Sequence, residues 1–244
     1  MDRFSRDPVG AGNQGNYNGI SRSKEGVQTF MAYVYGWMTS GLLITGVVSY
    51  LISESYTFYR LVASIPYGFL ILFAIQLGLV YMISGRINKI STTTAIGLFT
   101  LYSALMGVTL SPIFMVYTKA SIASTFLVSA GTFGAMSVYG YTTKKDLSSW
   151  GSYLFMALIG IIIASLANVF LIKSSGFARV IPYIGVFLFI GLTIYDTNKL
   201  RRMGQDIDGD MEAIKKYSIC GALSLYLDFI NLFLYMLRIF GNRR

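Results

Sequence analysis

Two aspartates lie inside apolar runs of membrane-spanning length, and they are the residues of this chain best suited to chemistry. Asp196 lies near the end of the run Ile181–Leu200, and Asp228 lies at the centre of the run Tyr217–Phe240. A carboxylate at the centre of a spanning helix costs about 2.5–3.5 kcal/mol on insertion scales. Because such residues usually face a protein interior or a water path, the two aspartates predict one shared site.

Two carboxylates in contact do not both ionise easily, so they titrate together as a pair. The chain contains no His, which excludes His-based catalysis, His metal ligands and His pH switches. The aspartate pair is therefore the best candidate for a pH sensor and gate. Taken alone, Asp196 also fits a second interpretation, a solvated charge about one turn from the end of its helix.

A polar stripe follows one face of the last apolar run. Ser224, Asp228, Asn231 and Tyr235 are spaced at i, i+4, i+7 and i+11, while the other faces are Leu, Ile and Phe. Since polar groups inside a membrane must meet protein or water, this helix is expected to be surrounded by others. The stripe predicts a gated polar path, and a purely structural hydrogen-bond network is the alternative.

The elements that position these residues are helices of membrane length. The chain is 54% hydrophobic and 13% charged, whereas a soluble domain carries about 25% charged residues. A span needs about 20 residues, so we predict an all-α integral membrane protein with seven transmembrane helices. Their expected ranges are Phe30–Ile52, Leu61–Gly85, Thr94–Tyr117, Ser121–Tyr141, Leu147–Ile172, Ala178–Leu200 and Tyr217–Phe240.

The connections give the domain division and the orientation. Residues 1–25 are polar and rich in Gly and Asn, which predicts a disordered cytoplasmic tail before a transmembrane domain over 26–244. Seven spans place 13 of the 20 Lys and Arg on the side of the N-terminus, so that side is predicted to be cytoplasmic and the C-terminus external. If the last run is re-entrant, the division becomes 16 against 4, and both alternatives stay open.

Arg86 follows the second predicted span, at a depth similar to that of Asp196. It is either an ordinary basic anchor of the cytoplasmic side or a counter-ion for the two carboxylates. Small residues mark a different feature, in the fourth span. Ala130, Gly131, Gly134 and Ala135 form two small-xxx-small pairs, which favours close packing within the bundle or a dimer face.

Several other functions are disfavoured. The net charge of +9 is scattered over short connections, so no nucleic-acid partner is expected. Cys220 is the only cysteine and is predicted to be a buried packing residue. The seventh span has no lysine for a retinal Schiff base, and no cofactor is predicted.

Two acidic patterns resemble functional motifs without completing them. Asp206–Glu212 lacks the glycine and glutamate positions of a calcium-binding EF-hand loop, so we predict a solvated loop in which Asp210 caps the next helix. Tyr195-Asp196 resembles the first motif of intramembrane aspartyl proteases. The second motif needs glycines before Asp228, where the sequence reads Leu225-Tyr226-Leu227, so we predict that the protein is not an enzyme.

Three segments carry a family resemblance. Ser224–Leu234 resembles the final helix of the Bax inhibitor-1 family, also called the transmembrane Bax inhibitor motif family. Gly191–Thr197 is similar to the sixth-helix motif of that family, and Thr39–Gly46 is similar to its first helix. The resemblance covers about residues 24–240, and its final-helix motif is the most specific part.

The resemblance implies a seven-helix fold whose last helix is central and wrapped by the other six. It implies a pH-sensitive calcium leak with Asp196 and Asp228 as sensor, which also make transient contact with calcium, and Arg86 as a latch. Compact loops and an uncleaved first span are typical of a bacterial inner-membrane protein. The alternative is an interaction protein that modulates a membrane-bound protease without conducting ions, with the polar N-terminal tail as its contact.

Overall fold

The computed structural model describes residues 11–55, 67–207 and 210–244, and within these ranges the protein is helical. Seven long helices succeed one another. A short helix, Ile113–Val116, follows the third of them, and a π-helical turn, Asn168–Ile172, follows the fifth. The seven are α1 (Ala11–Glu54), α2 (Gly68–Gly85), α3 (Thr92–Leu110), α4 (Lys119–Thr142), α5 (Trp150–Ala167), α6 (Ser175–Asp206) and α7 (Met211–Phe240).

Six of these segments are long and apolar enough to cross a membrane. The exception is α2, whose apolar part, Leu70–Gly85, is shorter. The first six residues of the predicted second span, 61–66, lie outside the described residues. Residues 11–25 belong to α1, while the predicted division into an N-terminal tail and a transmembrane domain stays a prediction. Once a helix has nucleated, each further residue adds a hydrogen bond, so the apolar span extends into polar sequence.

Side-chain caps fix where several helices begin. The Ser91 hydroxyl accepts a hydrogen bond from the Thr94 amide before α3, and Ser174 caps α6 through the Phe177 amide. The Asp210 carboxylate accepts from the Glu212 amide at 2.9 Å, at the start of α7. Each cap satisfies one of the amides that a helix start leaves unpaired. The predicted capping role of Asp210 is therefore confirmed.

Helix α7 is the most buried helix of the described bundle. Half of its 30 residues are buried, and it packs against α1, α2, α3, α4 and α6. By contrast, α5 packs mainly on α6 and exposes most of its apolar side chains. An apolar surface of this extent suits contact with lipid. The polar residues of α7 are thus held away from the membrane by its neighbours.

Contacts between connections define the two ends of the bundle. At one end, Tyr217 donates a hydrogen bond to Asn88 at 2.6 Å, and Arg202 pairs with Asp146 at 3.1 Å. We call this the basic end. It comprises the part of α1 near residue 27 and residues 86–89, 143–148, 201–207 and 210–216. At the opposite end, Lys119 pairs with Glu54 at 2.7 Å.

The C-terminal residues lie at that opposite end. The Thr118 amide donates to the Asn242 carbonyl at 3.1 Å, and the Arg244 amide donates to the Val116 carbonyl at 3.0 Å. These bonds fasten the chain after α7 to the connection between α3 and α4. Helix α7 therefore runs the full length of the bundle, from the basic end to the opposite end.

Candidate functional site

Asp228 is the polar residue of α7 whose side chain is buried with one oxygen atom lacking a hydrogen-bond partner among the described residues. Only 5% of the residue is exposed, because the helices around α7 cover this face. Its Oδ2 atom is buried and has no hydrogen-bond partner among the described residues. A buried polar atom without a partner costs about 1–3 kcal/mol. Such an atom in the middle of a span calls for a functional explanation.

Asp196 lies on α6, which packs against α7. Its carboxylate is half-buried, and it lies within electrostatic range of Asp228. Ser224 precedes Asp228 by one helical turn, so these two side chains lie on one face of α7. The shared site of Asp196 and Asp228 and their role as a sensor stay a prediction.

Arg86 follows α2 and does not pair with the two aspartates. Its exposed guanidinium lies over the Tyr81 ring, 6.0 Å from the ring centroid. Among the described residues, no salt bridge joins it to Asp196 or Asp228. Its backbone is nevertheless held close to the start of α7, because the Tyr217 hydroxyl donates to the Asn88 side chain, two residues further on, at 2.6 Å.

The last two residues of the predicted polar path, Asn231 and Tyr235, make contacts away from Asp228. The Asn231 amide donates to the Leu227 carbonyl of its own helix at 2.8 Å. Tyr235 packs on Phe189 with ring centroids 5.8 Å apart. Its ring lies where a Cβ atom at Gly185 would be 2.7 Å away, so only glycine fits at that position. The structure therefore groups Ser224 and Asp228, while Asn231 and Tyr235 contact other partners.

A second buried polar cluster was not predicted from the sequence. The Thr45 hydroxyl donates to the Ser103 carbonyl at 2.8 Å and lies 2.7 Å from the hydroxyl of Tyr226, which is fully buried. Since Thr45 uses its only hydrogen on Ser103, Tyr226 donates to Thr45. This cluster joins α1, α3 and α7. The available signal was Tyr226 itself, because a tyrosine hydroxyl inside a span needs a partner.

A charged network at the basic end was also missed. Arg202 donates two hydrogen bonds to Asn198 Oδ1, at 2.6 and 3.0 Å, and pairs with the Asp146 carboxylate. The Ser148 hydroxyl and amide, followed by Arg202, hold the pKa of Asp146 below its usual range by stabilising the charged form. Arg201 donates to the Tyr141 carbonyl at 2.6 Å. These bonds tie the end of α4 to α6.

The site offers few ligands for a resident metal ion. Within the described ranges, no three His, Cys, Asp or Glu side chains lie close enough together to hold a metal ion. Calcium takes six to eight oxygen ligands, so the Asp196 and Asp228 carboxylates supply only part of a coordination shell. The arrangement suits exchange of a proton or brief contact with a cation, which needs fewer protein ligands.

Membrane-length helices around a buried carboxylate pair define a polytopic helical membrane protein with an internal polar site. The sequence profile described as "Inhibitor of apoptosis-promoting Bax1" matches residues 27–244. The chain therefore belongs to the Bax inhibitor-1 family, as the resemblance of its helices α1, α6 and α7 indicated.

Similar proteins come from several bacteria. The chain is 54% identical to the inner membrane protein YbhL of Escherichia coli over 245 residues, which cover all of both chains. It is 53% identical to an uncharacterized protein of Borreliella burgdorferi over 88% of this chain and 92% of that one. It is 44% identical to the Rickettsia prowazekii protein RP147 over 90% of this chain and 92% of that protein.

Proposed function

We propose that the protein is a pH-sensitive calcium leak of the bacterial inner membrane, gated by Asp196 and Asp228. The observation that carries this proposal is the buried, unpartnered Oδ2 atom of Asp228 beside the Asp196 charge. An ionised carboxylate there needs a proton or a cation as its missing partner. The same atom therefore accounts for sensitivity to pH and for contact with calcium as cargo.

The proposed arrangement has seven spans, with α7 central, the N-terminus in the cytoplasm and the C-terminus outside. Three observations support it: α7 is the most buried helix, it runs from one end of the bundle to the other, and the basic connections share one end. The E. coli relative, an inner membrane protein, supports the location.

Arg86 is the proposed latch. It pairs with the ionised carboxylates and closes the basic end of the path, and protonation of the pair removes the attraction that holds it. The contact of Arg86 with Tyr81 then represents the released latch. The hydrogen bond between Tyr217 and Asn88 keeps this segment beside α7. Catalysis plays no part in this scheme, and calcium is its only transported partner.

The test is calcium flux into liposomes that contain the purified protein, measured at several pH values. Asp196→Asn imitates permanent protonation, so its leak should be high and nearly independent of pH. Asp146→Asn is the matched control, because Asp146 lies in the network at the basic end and its loss should leave the pH profile unchanged. A wild-type pH profile in Asp196→Asn would show that the carboxylates are not the sensor.

The second candidate is modulation of a membrane-bound protease without conductance. One observation favours it: α1 has 44 residues, which corresponds to about 66 Å of helix, against about 30 Å of hydrocarbon. Its polar N-terminal part is therefore available as a contact outside the membrane. Deletion of residues 1–24 should abolish regulation of the protease and spare the leak, which separates the two functions.

A further inference from the structure

An apolar groove lies between α1 and α4 and opens at the side of the bundle. Its volume is about 630 Å³, and Phe229 of α7 contributes to its lining. Phe229 packs edge-to-face with Phe126 and Phe133 of α4, with ring centroids 5.3 and 5.6 Å apart. Helices α1 and α4 both pack on α7 and hardly touch each other. The groove is the space that remains between them.

Small residues keep this space open. Ala130 and Gly134 of α4 line the groove, and a Cβ atom at Gly134 would meet nothing within 4 Å. The glycine at 131 also has open space around it, although it lies outside the groove. Neither glycine is used for close packing between helices. The small residues of α4 thus provide room for something outside the chain.

The dimensions of the groove indicate what fits. Its lining runs from Gln28 to Leu42 on α1 and from Phe126 to Tyr141 on α4, which is about 21 Å along each helix. The length and the apolar lining of the groove suit an extended hydrocarbon chain, which buries apolar surface along its whole length.

The end of the groove at the basic end is positively charged. The Arg201 guanidinium lies 6.0 Å from the centroid of the Tyr141 ring that lines the groove, and Lys144 and Lys145 are exposed just beyond. The nearby Asp146 carboxylate is already paired with Arg202, and Glu25, also exposed, precedes Gln28 by one turn. Three cations against one unpaired anion complement a phosphate group.

We propose that this groove binds one acyl chain of a membrane phospholipid, with the lipid phosphate at the end that carries Arg201. The groove lies within spanning helices, so bilayer hydrocarbon is the medium that reaches its open side. Because the lipid phosphate lies at the basic end, the acyl chain enters the groove from the leaflet on that side. The groove is about 21 Å long, which exceeds one leaflet, about half of a 30 Å hydrocarbon core.

The test compares two leucine substitutions on the same helix. Gly134→Leu fills the groove, whereas Gly131→Leu adds the same side chain to exposed surface. Phospholipid bound per protein is counted by native mass spectrometry after extensive detergent washing. Wild type and Gly131→Leu should retain one phospholipid. Gly134→Leu should bind the phospholipid about tenfold more weakly. The leucine side chain displaces about two methylenes of the acyl chain from the groove, and the loss of about 0.8 kcal/mol for each accounts for a tenfold change in affinity.

Equal retention by Gly134→Leu and the wild type would overturn the proposal. A wild-type dimer that Gly134→Leu dissociates without changing the bound lipid would also overturn it, in favour of a second copy in the groove. If Gly134→Leu does not fold, Ala130→Leu fills the same groove and takes its place. The measurement needs no ion flux, so its outcome is independent of the proposed leak.

Discussion

Replacing Asp228 by leucine should make the protein more stable and remove its regulation. The buried Oδ2 atom has no partner among the described residues, and such an atom costs about 1–3 kcal/mol. Leucine has a similar size, lacks that polar atom and enters an apolar surrounding. We therefore expect a gain of about 2 kcal/mol, which for a chain of this length raises the melting temperature by about 4–8 °C.

The assay is thermal unfolding in detergent, paired with calcium flux in liposomes. Asn231→Leu is the matched control on the same helix, because the Asn231 amide already has a partner at 2.8 Å. This control should not be stabilised, since its polar group is satisfied. Stabilisation together with a lost pH response is the pattern of a functional site that is held at a cost in stability.

The opposite result would refute the reasoning. If Asp228→Leu lowers the melting temperature while the leak and its pH dependence persist, then Asp228 belongs to a structural hydrogen-bond network. That was the alternative left open by the polar stripe on α7. The unpartnered Oδ2 atom would then be satisfied by a group that the side-chain contacts do not reveal.

Two further predictions concern the contacts that the sequence did not indicate. Tyr226→Phe removes the bond to Thr45 and should lower the free energy of unfolding by about 1 kcal/mol; in a double-mutant cycle with Thr45→Val the two effects should not add. Asp146→Asn should lower the melting temperature slightly at neutral pH, because a pKa held below its usual range stabilises the folded state above about pH 3.9. That difference should disappear as the pH falls through the lowered pKa, and thermal scans at several pH values measure it.

The sequence predicts the spans well because hydrophobic length is a local property. The runs around Asp196 and Asp228 lie within α6 and α7 as expected, and the excess of charge correctly groups the connections that share the basic end. The i+4 spacing also places Ser224 and Asp228 on one face. Each of these predictions needs only the helical repeat and the thickness of a bilayer.

Hydrophobic length and helical periodicity do not predict which side chains of different helices contact each other. The bond between Thr45 and Tyr226 joins residues 181 positions apart, and no periodicity records such a pairing. Asn231 lies on the polar stripe, yet its amide turns back to its own helix, a choice that spacing does not determine. Arg86 directly follows α2, and its side chain contacts Tyr81. A long flexible side chain has many rotamers, and its choice depends on neighbours.

The burial of α7 also has a consequence for biosynthesis. This helix leaves the ribosome after α1 to α6, and five of those earlier helices pack against it. Until it is inserted, the parts of α1 and α4 that pack on α7 remain uncovered in the membrane. A nascent chain that stops before residue 211 lacks the helix on which the bundle assembles. Truncated products should therefore be substrates for membrane quality control, since no stable partial bundle protects them.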